Sequence, residues 1–164
     1  MTYSALRKAA GLSQAELARC LEVSQPAIAA YESGRRTPDG TASDRYRVLS
    51  SALTGPTRSY GFFRAREVLL PDDRWQSFVP HSGRWRLPVH LEWSTRSERD
   101  MGNFADRSRV YEIVLAEGKP SDIRIWIDRD ELIEFGGTLM LPRHIKKPVH
   151  EMIERLLRGE VGAA

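Results

Sequence analysis

The chain has 164 residues, of which 41% are hydrophobic and 29% charged, and its net charge is +3. This composition fits a folded globular protein and excludes a disordered one, and the length suits one full-sized domain or two small ones. No apolar run approaches the roughly 18 residues of a membrane span. Met1-Thr2-Tyr3-Ser4 leads straight into a polar helical pattern with no apolar signal core, so a cytoplasmic protein is expected. The lone Cys20 excludes an internal disulfide and a cysteine-based zinc site. Residues 1–60 hold eight Lys/Arg against five Asp/Glu, whereas the remainder is balanced at seventeen of each. The surplus therefore sits in the N-terminal third, where a polyanion partner fits, although +3 by itself lies within the range of ordinary soluble domains.

The first helix is predicted over residues 2–10, with Leu6 and Ala10 on one face and Gly11 as the stop. Ser13-Gln14-Ala15-Glu16 reads as a capping box that starts a second helix, whose inward stripe is Leu17, Ala18 and Leu21. Ser24 is a third N-cap. Pro26 falls in the first turn, where a missing N–H costs little, and Gly34 ends that helix. Thr37-Pro38-Asp39-Gly40 is a turn, and residues 43–53 form a fourth helix with Tyr46, Leu49 and Leu53 inward. Residues 56–62 are expected to be a linker.

Residues 60–103 carry Trp75, Trp85 and Trp93 and several prolines without a long helical period, so turns are expected, with short strands near 85–89 and 90–93. A helix starts near Phe104 with Val110, Tyr111, Ile113, Val114 and Leu115 apolar, and ends at Gly118 and Pro120. Ser121 is expected to cap a short helix, and another spans 129–135. Gly136-Gly137 breaks the chain, Leu139-Met140-Leu141 is expected as a buried strand or loop, and Pro142 opens a final helix with Ile145, Val149, Met152, Ile153, Leu156 and Leu157 apolar. Cys20, beside Leu21, is expected as a semi-buried small residue rather than a redox sensor.

Two short helices joined at Glu22-Val23 have the layout of a helix-turn-helix. In that motif the first helix crosses the phosphate backbone and the second enters the major groove with its N-terminal residues toward base edges. Leu12-Ser13-Gln14-Ala15-Glu16-Leu17-Ala18, Val23-Ser24-Gln25-Pro26-Ala27-Ile28 and Tyr31-Glu32-Ser33-Gly34-Arg35-Arg36-Thr37-Pro38 together resemble the Cro/C1-type (XRE-like) helix-turn-helix, over about residues 3–54. The resemblance implies a mainly α fold. Residues 1–55 would be a lambda-repressor-like bundle that binds double-stranded DNA, and residues 63–164 a mostly helical α+β domain for dimerisation or partner binding. It implies that Gln14 holds a phosphate, that Gln25 reads adenine through N6 and N7, and that Ala30 offers a methyl to thymine. Arg35 and Arg36 would contact the backbone, and Ser24, Ala27 and Ser33 complete the DNA-binding set. Arg7 and Glu32 match a partly buried structural ion pair. Two departures stand out. Glu22 occupies a turn position usually held by glycine. Ala29 and Ala30 replace polar or basic side chains, although plain helix propensity accounts for them equally well. Base reading would then rest on Gln25, which implies a homodimer on two operator half-sites about one DNA turn apart.

His81, His90, His144 and His150 form no tight ligand pair, so neither a metal site nor a cofactor is expected. Asp72-Asp73 and Asp128, Asp130 and Glu131 are read as turn and helix-start acids. Without a glycine-rich phosphate loop or a nucleophile elbow, no enzyme activity is expected. Trp93-Ser94, Arg109 to Leu115, Glu117-Gly118, Pro120-Ser121-Asp122-Ile123, Asp128 and Leu141-Pro142-Arg143 loosely resemble the C-terminal half of bacterial antitoxins encoded beside a toxin. That resemblance implies a repressor of its own operon that neutralises a cognate toxin, with the segment from Trp75 to Trp93 as a candidate partner surface. For any one of those tryptophans a place in the core is the commoner role. The alternative is a ligand-responsive repressor whose C-terminal domain senses a small molecule.

Overall fold

The computed structural model describes residues 1–94 and 97–162; the final two positions of the expected C-terminal domain lie outside the described residues, as do 95 and 96. Four helices come first: α1 (Tyr3–Ala9), α2 (Gln14–Leu21), α3 (Gln25–Glu32) and α4 (Gly40–Thr54). A hairpin follows, β1 (Thr57–Phe63) with β2 (Arg66–Pro71), antiparallel, with an irregularity between Ser59 and Phe62. A second, minimal pair joins β3 (Arg84–Trp85) to β4 (Arg99–Asp100). The chain then runs through α5 (Phe104–Glu117), α6 (Pro120–Trp126), α7 (Arg129–Phe135), a 3-10 turn (Gly136–Thr138) and α8 (Arg143–Arg158). The protein is thus mainly α with an α+β C-terminal part, and among the described residues no helix is long and apolar enough to cross a membrane.

Local chemistry sets the N-terminal boundaries. The Thr2 hydroxyl accepts from Ala5 N–H at 3.2 Å, and Gly11 takes φ +69° so that Leu12 N–H reaches back to Arg7 C=O at 3.2 Å. A Cβ on Gly11 would also meet Pro88 at 2.8 Å, so the residue serves both the turn and the packing. Ser13 and Glu16 form the reciprocal box, at 3.2 and 2.7 Å. α4 starts three residues earlier than predicted, at Gly40 (φ +46°), after Asp39 in extended backbone whose side chain caps nothing. Ala52 takes the buried place and Leu53 is half-buried.

The core is continuous from Leu6, Leu17, Ile28 and Leu49 through Phe78, Ile123, Trp126 and Met152. α6 lies at its centre, with Asp122 to Trp126 all buried. Trp75 Nε1 donates to Ile127 C=O at 2.8 Å, and Ile125 C=O accepts from the amides of Phe78 and Val79. Two charges go inward with α6. Asp122 accepts from Lys119 N–H at 2.8 Å and lies 3.1 Å from His90 Nε2, while Arg124, 1% exposed, pairs with Asp73 at 2.8 Å. Arg124 also donates to Pro56 C=O, and a Cβ on Gly55 would strike its guanidinium at 2.7 Å. Further ties cross the same junction. Arg45 donates to Phe78 C=O at 2.8 Å, and Arg19 stacks on Trp85 at 3.8 Å while donating to Arg84 C=O.

Several expectations change. The segment expected as a linker is β1 almost throughout, held by pairing with β2. Of the strands expected near 85–89 and 90–93, only Trp85 lies in one, and Leu91 and Glu92 instead fold back onto Pro88 C=O. Pro120 rather than Ser121 opens α6, with the Asp122 carboxylate satisfying Lys119 N–H. Leu139 is buried, but Met140 is 83% exposed because the chain turns outward before α8. Leu157 is also exposed. Asp72 and Asp73 are ion-pair partners, of Arg58 and Arg155 and of Arg124 respectively, rather than turn acids. Trp75 and Trp85 belong to the core, which leaves Trp93 and Val89 as the exposed large hydrophobic residues of the expected partner surface.

Asp73→Ala strands the Arg124 charge and is expected to lower the unfolding free energy by about 3–5 kcal/mol. Asp44→Ala breaks an exposed pair with Arg47 and should cost under about 1 kcal/mol. Urea titration monitored by tryptophan fluorescence checks both; equal effects would remove Arg124 from its anchoring role.

Candidate nucleic-acid interface

α2 and α3 meet across a three-residue turn. Glu22 ends α2 at φ 57°, ψ 38°, the left-handed conformation, which costs a side-chain-bearing residue about 1 kcal/mol. Ala18 is buried, and its carbonyl accepts from Val23 N–H at 3.0 Å. The Ser24 hydroxyl then accepts from Ala27 N–H at 3.4 Å and launches α3, with Pro26 in the first turn. Ile28 and Tyr31 point inward. Ser24, Gln25 and Pro26 are exposed, and Ala27, Ala29 and Ala30 are half-buried. The outer face of α3 therefore presents one long polar side chain, Gln25, above a shallow surface of alanines.

Glu32, at the far end of α3, holds three helices together. Arg7 Nε of α1 donates to Glu32 Oε1 at 2.6 Å, and Gln14 Nε2 of α2 donates to Glu32 Oε2 at 2.9 Å. Arg7 also donates to Leu12 C=O at 2.9 Å. The hydrogen bond from Arg7 holds the Glu32 carboxyl below its ordinary range, with Gln14 acting in the same direction, against the opposing effect of burial. Gln14 thus commits one of its two N–H donors to the fold, leaving its other donor and its carbonyl for a partner.

Past α3, Ser33 Oγ donates to Ala30 C=O and accepts from Arg35 Nε at 3.0 Å, which orients an exposed guanidinium. Arg36 lies over the Tyr31 ring and 3.7 Å from Asp39, with both side chains exposed. α3 is eight residues long, so Gln25 and the two arginines stand about 12 Å apart along its axis. Sequence reasoning did not mark Thr41, which lines a shallow trough together with Ser24, Ala27 and Arg36. The early start of α4 brings it there, and the unrecognised helix boundary hid it.

The other candidate groups lie elsewhere. Cys20 is fully buried, and desolvation raises its thiol to about 12 against the lowering effect of Arg45 and Arg19, so it stays protonated and inert. His81 lies 3.2 Å from Glu131, His90 faces Asp122, His144 stacks on Phe63 and His150 is exposed. Among the described residues no group of three or more potential ligands gathers.

A family model described as helix-turn-helix matches residues 4–45, which contain the capping box, the turn and all of α3. No curated protein and no solved structure matches the chain. Geometry and family match coincide, and the N-terminal part is a helix-turn-helix of the Cro/C1 (XRE) type. The protein that carries it is a DNA-binding transcription regulator.

The depressed Glu32 carboxyl gives a pH prediction. Its ionised form contributes stability that is fully present above the unfolded-state value of 4.5 and is lost as pH falls through the lower folded value. Glu32→Gln should be less stable at neutral pH and lose less stability between neutrality and acid than the parent. Urea midpoints measured across that range should converge toward low pH; a constant gap would contradict the assignment.

Proposed function

We propose that the protein binds a specific double-stranded operator by placing α3 in the major groove. Gln25 reads adenine through a bidentate amide contact and Ala30 offers its methyl to thymine. Arg35, Arg36, Ser33 and the uncommitted amide atoms of Gln14 hold the phosphates, while Ser24 and Ala27 line the approach. The observation that carries this reading is the exposure of Gln25 at the first turn of a helix whose other end is braced by Glu32. One reading side chain on each copy gives modest discrimination, so the operator has two half-sites and the protein acts as a homodimer.

The C-terminal part, in the same proposal, holds a cognate toxin protein, which makes the chain an antitoxin that represses its own operon. The loose resemblance of residues 93–143 to such proteins supports this reading. So do Trp93, which is 81% exposed, and the exposed Val89 four residues before it. Co-purification with the product of the neighbouring gene, together with retention on the chain's own promoter, tests it. Loss of both removes the antitoxin reading, and retention on the promoter alone leaves a repressor without a toxin partner.

For the DNA contact itself, Gln25→Ala should weaken operator binding by roughly ten-fold or more while sparing random-sequence duplex, as expected for about 1–3 kcal/mol of discrimination. Arg35→Ala should weaken both and flatten the salt dependence. Fluorescence anisotropy at several salt concentrations distinguishes the two; equal losses on every sequence would take Gln25 out of its role.

A further inference from the structure

Two segments of the C-terminal part carry positive charge that the helix-turn-helix does not use. Residues 57–66 hold Arg58, Arg64 and Arg66, residues 140–150 hold Arg143, Lys146 and Lys147, and neither segment contains an Asp or Glu. Folding joins them: α8 packs against β1 and β2, and the Phe63 ring stacks on the His144 imidazole with centroids 4.1 Å apart and planes 15° from parallel. Arg58 is engaged by Asp72 at the root of the hairpin. Arg64, Arg66, Arg143 and Lys146 are all exposed and have no carboxylate within ion-pair distance among the described residues, and Lys147 has only Glu151 at 3.7 Å. Glu67, opposite Phe62 on β2, and Glu151 mark the rim of the patch.

Two features of this patch work against stability, although Arg64 lies over the Phe63 ring at 5.2 Å. The hairpin turns through Arg64 and Ala65 at φ 47° and 62°, left-handed positions that such turns usually fill with Asn and Gly. The cations of α8 sit in its first two turns, at the positive end of the helix dipole. Phe62, 75% exposed on the same hairpin, adds an apolar group beside them. An anion placed across the hairpin tip and the start of α8 relieves the charge repulsion and gives the awkward turn a purpose.

We propose that the β1–β2 tip and the first two turns of α8 form a second DNA-contacting surface that grips the phosphate backbone of duplex DNA, with Phe62 as an apolar wedge at the groove edge. Three points favour a duplex over an acidic protein. Lysine is depleted at protein–protein interfaces, Phe62 and Phe63 make only a small apolar centre, and a duplex already held by α3 presents phosphates at high effective concentration. A single-strand platform would need successive exposed aromatics, whereas Phe63 is occupied by His144. The proposal rests on the reading of α3 only for that last gain in effective concentration.

The test uses the full chain and a random-sequence duplex several turns long, so the operator need not be known. Arg64→Gln/Arg66→Gln/Lys146→Gln is compared with Arg86→Gln/Arg109→Gln/Lys119→Gln, which removes three exposed cations elsewhere. Circular dichroism melting first verifies that both variants fold. Each cation released from a phosphate takes about 0.9 from the slope of log K against log salt, so the first variant, which removes three, should flatten it by about 2.7 and the second by far less. An unchanged slope, or an equal change in both variants, overturns the proposal and leaves an acidic protein as the occupant. Arg35→Ala, run alongside, separates the two readings. A loss confined to the hairpin–α8 variant keeps this surface and removes α3 from the DNA, and a loss confined to Arg35→Ala does the reverse.

Discussion

Arg124 brings a guanidinium into the centre of the protein, where an unpaired charge would be prohibitive. Asp73 neutralises it and Pro56 C=O accepts from it, and those two partners come from either side of the hairpin. Much of the architecture depends on this arrangement. The chain leaving α4 passes directly over the guanidinium, where a Cβ at position 55 would meet it at 2.7 Å and force it to shift. β1 therefore starts where it does, and α6 lies at the middle of one continuous core. The pair is not a large source of net stability, since a well-packed apolar cluster of equal volume would do as well. It ties the chain on both sides of the hairpin to α6, just past the end of α4.

A second carboxylate sets the orientation of the reading helix. Glu32 gathers Arg7 and Gln14 so that α1, α2 and α3 share one hydrogen-bonded node, and the αL turn at Glu22 and the Ser24 cap fix the other end of α3. Arg19 on Trp85 and Arg45 on Phe78 then fasten α2 and α4 to the C-terminal part. Groups that would suit a polyanion are here divided between two duties. Arg7, Arg19 and Arg45 hold the fold, whereas Arg35 and Arg36 project outward.

How far the sequence could be read follows from how local each determinant is. The capping box, Pro26 in a first turn and Gly11 past a helix end are contained within a few residues, and α1 to α3 were legible from them. The hairpin was not. Gly55-Pro56 looks like a break, β1 is exposed almost throughout and bulged, so no period of two survives, and its turn is Arg-Ala rather than Asn-Gly. The fate of the tryptophans was equally hidden, because Trp75 and Trp85 are buried by partners on α6 and α2 far along the chain. Gln14 shows the same limit within the candidate site. Its motif position points to a phosphate, but its tie to Glu32 depends on a third helix and emerges only in three dimensions.

The central claim is that α3, braced by Glu32, is the surface that meets DNA. Titrating isotope-labelled protein with duplex DNA and following backbone amides by NMR tests it most directly. The account predicts that large shifts include residues 24, 25, 27–30 and 35–36, Pro26 having no N–H, with core amides of α6 unmoved. Binding that leaves residues 24–30 unshifted would contradict it.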